Sequence, residues 1–184
     1  MKMSNVKSMV MTAMCIALGV VLPVMFHGVE NAGSIFCPMH IPVLICGLIC
    51  GWQYGLVCGI VTPVVSTLLT GMPPMAILPA MMIELAVYGL ITSVMMRFVK
   101  AKNQYADLYI SLIVAMLVGR VINGVVKAIM LAGGDYSIAV WATASFVTCL
   151  PAIAIQLVLI PNLIHILTKA KILPPRYVKE SEKV

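Results

Sequence analysis

Arg120, Asn123 and Lys127 fall at i, i+3 and i+7 of one apolar stretch, so on a helix they form a single stripe. Two cations and an amide placed in hydrocarbon require partners, and residues of this kind ordinarily mark a functional site. Their chemistry suits an anionic solute or an acidic partner. Glu84 is the one carboxylate deep inside an apolar stretch, and Tyr88 shares its helix face at i+4. Two readings of Glu84 stand. It forms a buried ion pair with Arg120 that fixes the packing of two helices, or it belongs to the site. In the first case Lys127 and Asn123 are left unpaired and are the residues expected to meet a solute. Lys127 has its own alternative, since a lysine near a span's end can snorkel to the interface.

Other side chains could line the same region. His40 opens a helix, either as a hydrogen-bonding residue at the helix start or as part of an external mouth. Trp141 is read first as an interfacial anchor, with a stacking wall as the alternative. Gln156 is expected to hydrogen-bond between helices. The segment 27–34, His-Gly-Val-Glu-Asn-Ala-Gly-Ser, is small and polar enough to act as a flexible cover.

The elements that position these residues follow from composition. The chain has 184 residues, of which 62% are hydrophobic and 10% charged. An ordinary soluble domain carries about 25% charged residues. With a mean hydropathy of +1.09 the chain reads as an all-α polytopic membrane protein, one membrane-embedded domain over 1–184. Six spans fit, at about 7–26, 39–52, 54–70, 75–98, 106–132 and 139–168. Gly51-Trp52-Gln53-Tyr54-Gly55 joins the short second and third spans, and Gly71-Met72-Pro73-Pro74 stops the third. Pro151 and Pro161 predict a bend in the last. Residues 1–26 resemble a signal peptide in charge and hydrophobicity. A cut after Ala32 would place Glu30 where a small residue is needed, so the segment is read as a retained helix.

The net charge of +6 is clustered. Lys2 and Lys7 lie at the N-terminus, Arg97, Lys100 and Lys102 in one polar break, and Lys169, Lys171, Arg176, Lys179 and Lys183 in the tail. With both termini on the cytoplasmic side, every Lys and Arg outside a span is inside, while the outer loops hold Glu30 and Asp135. The stripe on the fifth span then points from mid-bundle to the outside. The cations flank helices without interleaved aromatics, which excludes a nucleic-acid surface.

Small residues repeat at i, i+4: Ala13/Ala17, Gly47/Gly51 and Gly55/Gly59. Such pairs allow close approach within the bundle or to another membrane subunit. Of the six cysteines, Cys15, Cys37, Cys46, Cys50, Cys58 and Cys149, five fall in apolar segments and read as small hydrophobes. The Cys46/Cys50 spacing forms no zinc knuckle by itself, and no metal site is expected. There is no Walker A sequence, no H-E-x-x-H, no G-x-S-x-G and no C-x-x-C, so neither catalysis nor ATP binding is expected of this chain.

Four stretches carry a family resemblance. Residues 38–61, PMHIPVLICGLICGWQYGLVCGIV, resemble the helix 2–3 pattern H-I-P-V … G … G-x-x-x-G of the substrate-binding S components of energy-coupling factor (ECF) vitamin transporters. The run from Gly119-Arg120 resembles the family's helix 5, and Leu150-Pro151 to Ile160-Pro161 its pattern L-P-x-I-x-x-Q-x-x-x-I-P. Ala13 and Ala17 match its A-x-x-x-A docking motif. The resemblance covers nearly all of 7–168. It implies a six-helix, high-affinity membrane binder without cofactor or ATPase of its own. It further implies a transmembrane coupling subunit and two ATP-binding cassette ATPases as partners, in a prokaryotic plasma membrane. Uptake would proceed by toppling of the chain in the bilayer.

Arg120 and Lys127 favour a solute bearing carboxylate or phosphate, with pantothenate the first choice. Pyridoxine-like, thiamine-precursor, biotin and queuosine-precursor solutes stay open. The few aromatics argue against large flat rings. The alternative function is a stand-alone ion-coupled carrier or channel, in which Glu84 couples the ion.

Overall fold

A computed structural model describes residues 4–25, 32–101, 103–130 and 138–173. The helices are α1 (Asn5–Met25), α2 (Ala32–Phe36), α3 (His40–Cys50), α4 (Trp52–Thr70), α5 (Leu78–Phe98), α6 (Gln104–Met130), α7 (Ile138–Ala142) and α8 (Leu150–Lys169). A π-helical stretch, Thr143–Thr148, joins α7 to the start of α8. Among the described residues there is no strand. Lys2, Glu30, Lys102, Asp135, Arg176, Lys179 and Lys183, on which much of the expected orientation rests, lie outside the described residues, as does 27–31 of the expected cover.

Five helices, α1, α4, α5, α6 and α8, are long and apolar enough to cross a membrane. The remaining expected span, 39–52, is the 11-residue α3. At 1.5 Å per residue it is roughly 16 Å long, short of a hydrocarbon core of about 30 Å. Gly51 ends it at φ +103°, a conformation open to glycine because it lacks a Cβ. Gly51 makes the whole turn alone. Trp52, Gln53 and Tyr54, expected in a break, already belong to α4, and the Gly55 N–H donates to the Gly51 carbonyl at 2.9 Å.

The stop after α4 follows the sequence closely. Gly71 is left-handed, and its N–H donates to Thr67 O at 2.9 Å. The Ser66 and Thr67 hydroxyls donate to Met72 O (2.8 Å) and Pro73 O (3.0 Å), folding the chain back on its own helix. The next helix begins at Leu78 rather than 75, with Pro79 in its first turn. Part of the expected flexible cover is instead the short helix α2. The last expected span, 139–168, is interrupted at Cys149. Pro151 has no N–H to continue the ladder, so the helix restarts with that proline in its first turn. Pro161 lies inside α8 without ending it.

α5 is the centre of the packing and touches α3, α4 and α6, while α1 covers α3 and α4. α8 lies against α2, α3 and α6. α4 and α5 approach through Gly55 and Gly89, where a Cβ on either would overlap the other's backbone. Gly47 and Gly59 also sit directly on the α5 backbone. Three of the four spaced glycines are therefore used inside the bundle. Ala13 and Ala17 are exposed on α1. Gly89→Ala should destabilise the fold by about 1–3 kcal/mol, the usual cost of overpacking. Thermal unfolding in detergent measures it, and an unchanged midpoint would contradict the close approach.

The buried core is Leu44, Leu85, Leu108, Leu112, Ile160 and Ile164, whereas Val10, Leu117, Val121, Val158 and Ile166 are exposed. An apolar outer face of this kind suits a surrounding of lipid.

Candidate solute-binding site

The first turns of α3 and α5, the last turns of α6, and α7 all lie at one end of the bundle. Here the polar residues singled out in the sequence converge. His40 is the first residue of α3. Glu84 lies six residues into α5, one turn before Tyr88. Arg120 and Asn123 share the buried face of α6.

Glu84 is the hub. The Tyr88 hydroxyl donates to Glu84 Oε1 at 2.9 Å, and the Asn123 amide donates to Glu84 Oε2. His40 Nε2 stands 3.7 Å from Oε1, a contact that becomes an ion pair when His40 is protonated. The His40 and Tyr88 rings lie 5.3 Å apart, tilted by 58°. Tyr88, only 1% exposed, packs its ring over Gly119, where any Cβ would collide with it. The missing side chain at 119 thus lets the tyrosine reach back to Glu84 between α5 and α6.

The expected Glu84–Arg120 ion pair is absent: no carboxylate among the described residues comes within 4.0 Å of Arg120. The physical reason is the crowding of Glu84 by nearer donors. Tyr88 occupies one oxygen and Asn123, one turn further along α6, the other. The Arg120 guanidinium lies 5.8 Å from the centre of the Phe146 ring, in cation–π range. The roles expected of the α6 stripe are therefore exchanged. Where the ion-pair reading left Asn123 unpaired, Asn123 is tied to Glu84, and Arg120 is the deep cation with no carboxylate within 4.0 Å among the described residues. Lys127 is half-buried, nearer the end of α6.

Trp141 points its indole at α6. Its N–H donates to the Arg120 carbonyl at 3.2 Å, and its ring packs against Gly124. Phe146 meets it edge-on, with centroids 5.7 Å apart. Sequence reading missed Phe146. Its spacing of five from Trp141 matches no α-helical face, and only the π-helical stretch brings the two rings together. Cys37 and Cys149 were also missed, and their sulfurs lie 3.8 Å apart at the edge of the same cluster.

Among the described residues four buried polar atoms have no hydrogen-bond partner: His40 Nδ1, Arg120 Nε, Asn123 Oδ1 and Gln156 Nε2. Gln156 was expected to bridge helices. Its amide nitrogen is instead unpartnered, six residues into α8, on the buried stripe Ala152–Gln156–Ile160–Ile164. Burying so many unsatisfied groups is unfavourable. Among the described residues no group of three or more His, Cys, Asp or Glu is placed to hold a metal ion.

Apolar helices of crossing length around a buried polar cluster define a multi-pass membrane protein with that cluster toward one end of the bundle. A family model for the substrate-specific component of ECF transporters matches residues 7–164, and the chain belongs to that family. It is accordingly a substrate-specific subunit for transport, of a family that works with a coupling subunit and ATPases. No curated protein matches the chain.

Proposed function

We propose that this chain captures a small anionic water-soluble vitamin or precursor, with pantothenate as first choice, at the end of the bundle that holds Glu84 and Arg120. It then delivers the solute through a coupling subunit driven by two ATP-binding cassette ATPases. On this reading six helices cross a prokaryotic plasma membrane with both termini inside, and this end faces outward; the clustering of Lys and Arg supports that orientation. The chain itself uses no cofactor.

One observation carries the reading. Arg120 is 4% exposed, its Nε has no hydrogen-bond partner, and among the described residues no carboxylate lies within 4.0 Å of it. A buried cation in an apolar bundle is costly until an anion meets it. A solute carboxylate would supply both the counter-charge and the acceptor. Asn123 Oδ1 needs a donor, so the solute also carries an O–H or N–H. His40 Nδ1 and Gln156 Nε2 can take further polar groups, and Lys127 adds positive charge toward the end of α6. Pantothenate combines a carboxylate, an amide and two hydroxyls. The edge-on Trp141–Phe146 pair offers one aromatic wall, which suits a compact solute better than a large flat ring.

Titration calorimetry of the purified chain with pantothenate tests this. Saturable binding is expected, and no heat with pantothenate or any other carboxylate or phosphate vitamin would refute the anionic class. Ala13 and Ala17 bear on transport alone. Ala13→Leu with Ala17→Leu should abolish uptake by the assembled transporter while leaving solute affinity within about twofold, because exposed changes of this kind leave the fold intact. Loss of binding in that double variant would contradict a docking role for this face.

A further inference from the structure

Two thiols flank the site at backbone irregularities. Cys37 precedes α3 by three residues and has φ +43°, a left-handed conformation that is uncommon for a residue with a side chain. Cys149 occupies the break between the π-helical stretch and α8, with φ −89° and ψ 7°. Regular helix at either position would carry its sulfur elsewhere. As built, the Cys37 thiol donates to the Cys149 sulfur across 3.8 Å, and Cys149 also donates to the Ala144 carbonyl at 3.2 Å. Cys37 is 8% exposed and Cys149 is half-buried. A disulfide needs its sulfurs about 2.05 Å apart, so closure requires a movement of roughly 2 Å.

We propose that Cys37 and Cys149 form a thiol–disulfide pair, oxidised by a low-molecular-weight disulfide, whose bond staples the α2–α3 junction to the start of α8 beside the site. The more accessible Cys149 thiolate attacks the reagent disulfide, forming a mixed disulfide and expelling one thiolate. Cys37 then attacks the Cys149 sulfur and expels the second thiolate. Two protein thiols are oxidised to one disulfide, the reagent is reduced to two thiols, and the two cysteine protons pass to the departing thiolates. The staple would hold together the two segments that bring His40 and Phe146 to Glu84 and Arg120. Its effect on solute traffic rests on the reading of this end as the solute's way in.

The test uses the full chain in lipid nanodiscs, treated with oxidised glutathione or with dithiothreitol, then alkylated, digested and analysed by mass spectrometry. A Cys37–Cys149 cross-linked peptide is expected after oxidation, reversed by dithiothreitol and missing in Cys149→Ser. Hydrogen exchange over 138–149 should slow at least tenfold in the oxidised chain. Oxidation that never joins 37 to 149, or that joins Cys149 to another cysteine, overturns the pair. Formation of the bond with unchanged exchange overturns the staple. Neither readout needs a bound solute. Failure of the reduced chain to bind pantothenate would therefore count against the proposed function and leave this test intact.

Discussion

Glu84→Ala is expected to remove solute binding and to lower the stability of the folded bundle by about 2–4 kcal/mol. Tyr88 and Asn123 both donate to this carboxylate, and His40 stands against it. Truncation leaves these buried groups without an acceptor, and an unsatisfied buried donor costs about 1–3 kcal/mol. Interhelical hydrogen bonds in membrane proteins average less, about 0.6 kcal/mol, because partners can be found elsewhere in the unfolded state. The estimate therefore sits below the sum of the single costs. Glu84→Gln keeps an acceptor and should recover more than half of the lost stability. Thermal unfolding of the three proteins in one detergent decides it. Equal midpoints for wild type and Glu84→Ala would mean that the carboxylate does not organise the site.

Arg120→Ala is expected to weaken binding of an anionic solute by about 2–5 kcal/mol, the range for truncating one partner of a buried charge pair. That is roughly 30- to 5,000-fold in dissociation constant. Arg120→Lys should fall between, since an ammonium keeps the charge but loses the planar fork. Lys127→Ala, at a half-buried position, should cost less than tenfold. Binding isotherms for the series measure the order. A Lys127 effect larger than that of Arg120 would move the anion's place toward the end of α6.

What could be read from the chain divides along physical lines. The stop at Gly71 follows a local rule, because a left-handed glycine acts within a few residues. Convergence of His40, Glu84, Tyr88 and Asn123 was legible in part: helical spacing put Tyr88 on the face of Glu84, while His40 and Asn123 reach it only through helix packing. Which of Asn123 and Arg120 would take the carboxylate was not legible. That choice depends on Tyr88 packing over Gly119 and on Phe146 offering the guanidinium another surface. The π-helical stretch at Thr143–Thr148 has no plain sequence signature, so Phe146 and the Cys37–Cys149 contact stayed hidden. Single-residue reversal at Gly51 was hidden too. Five residues of turn-like composition concealed a helix that starts at Trp52.

The glycine pairs show how one pattern serves two ends. Gly47, Gly55 and Gly59 lie buried on α5, whereas Ala13 and Ala17 face outward on α1. The same small-residue spacing brings helices together within the bundle and leaves a smooth face outside it. Only burial distinguishes them.

Arg120 stands in the proposed function as the counter-charge for a bound anionic solute. Native mass spectrometry of the chain purified from cells tests it most directly, by weighing what stays bound. The wild type should carry a small solute bearing a carboxylate or phosphate, lost from Arg120→Ala at the same protein concentration. A neutral or cationic solute, or the same anion retained at full occupancy by Arg120→Ala, would contradict it.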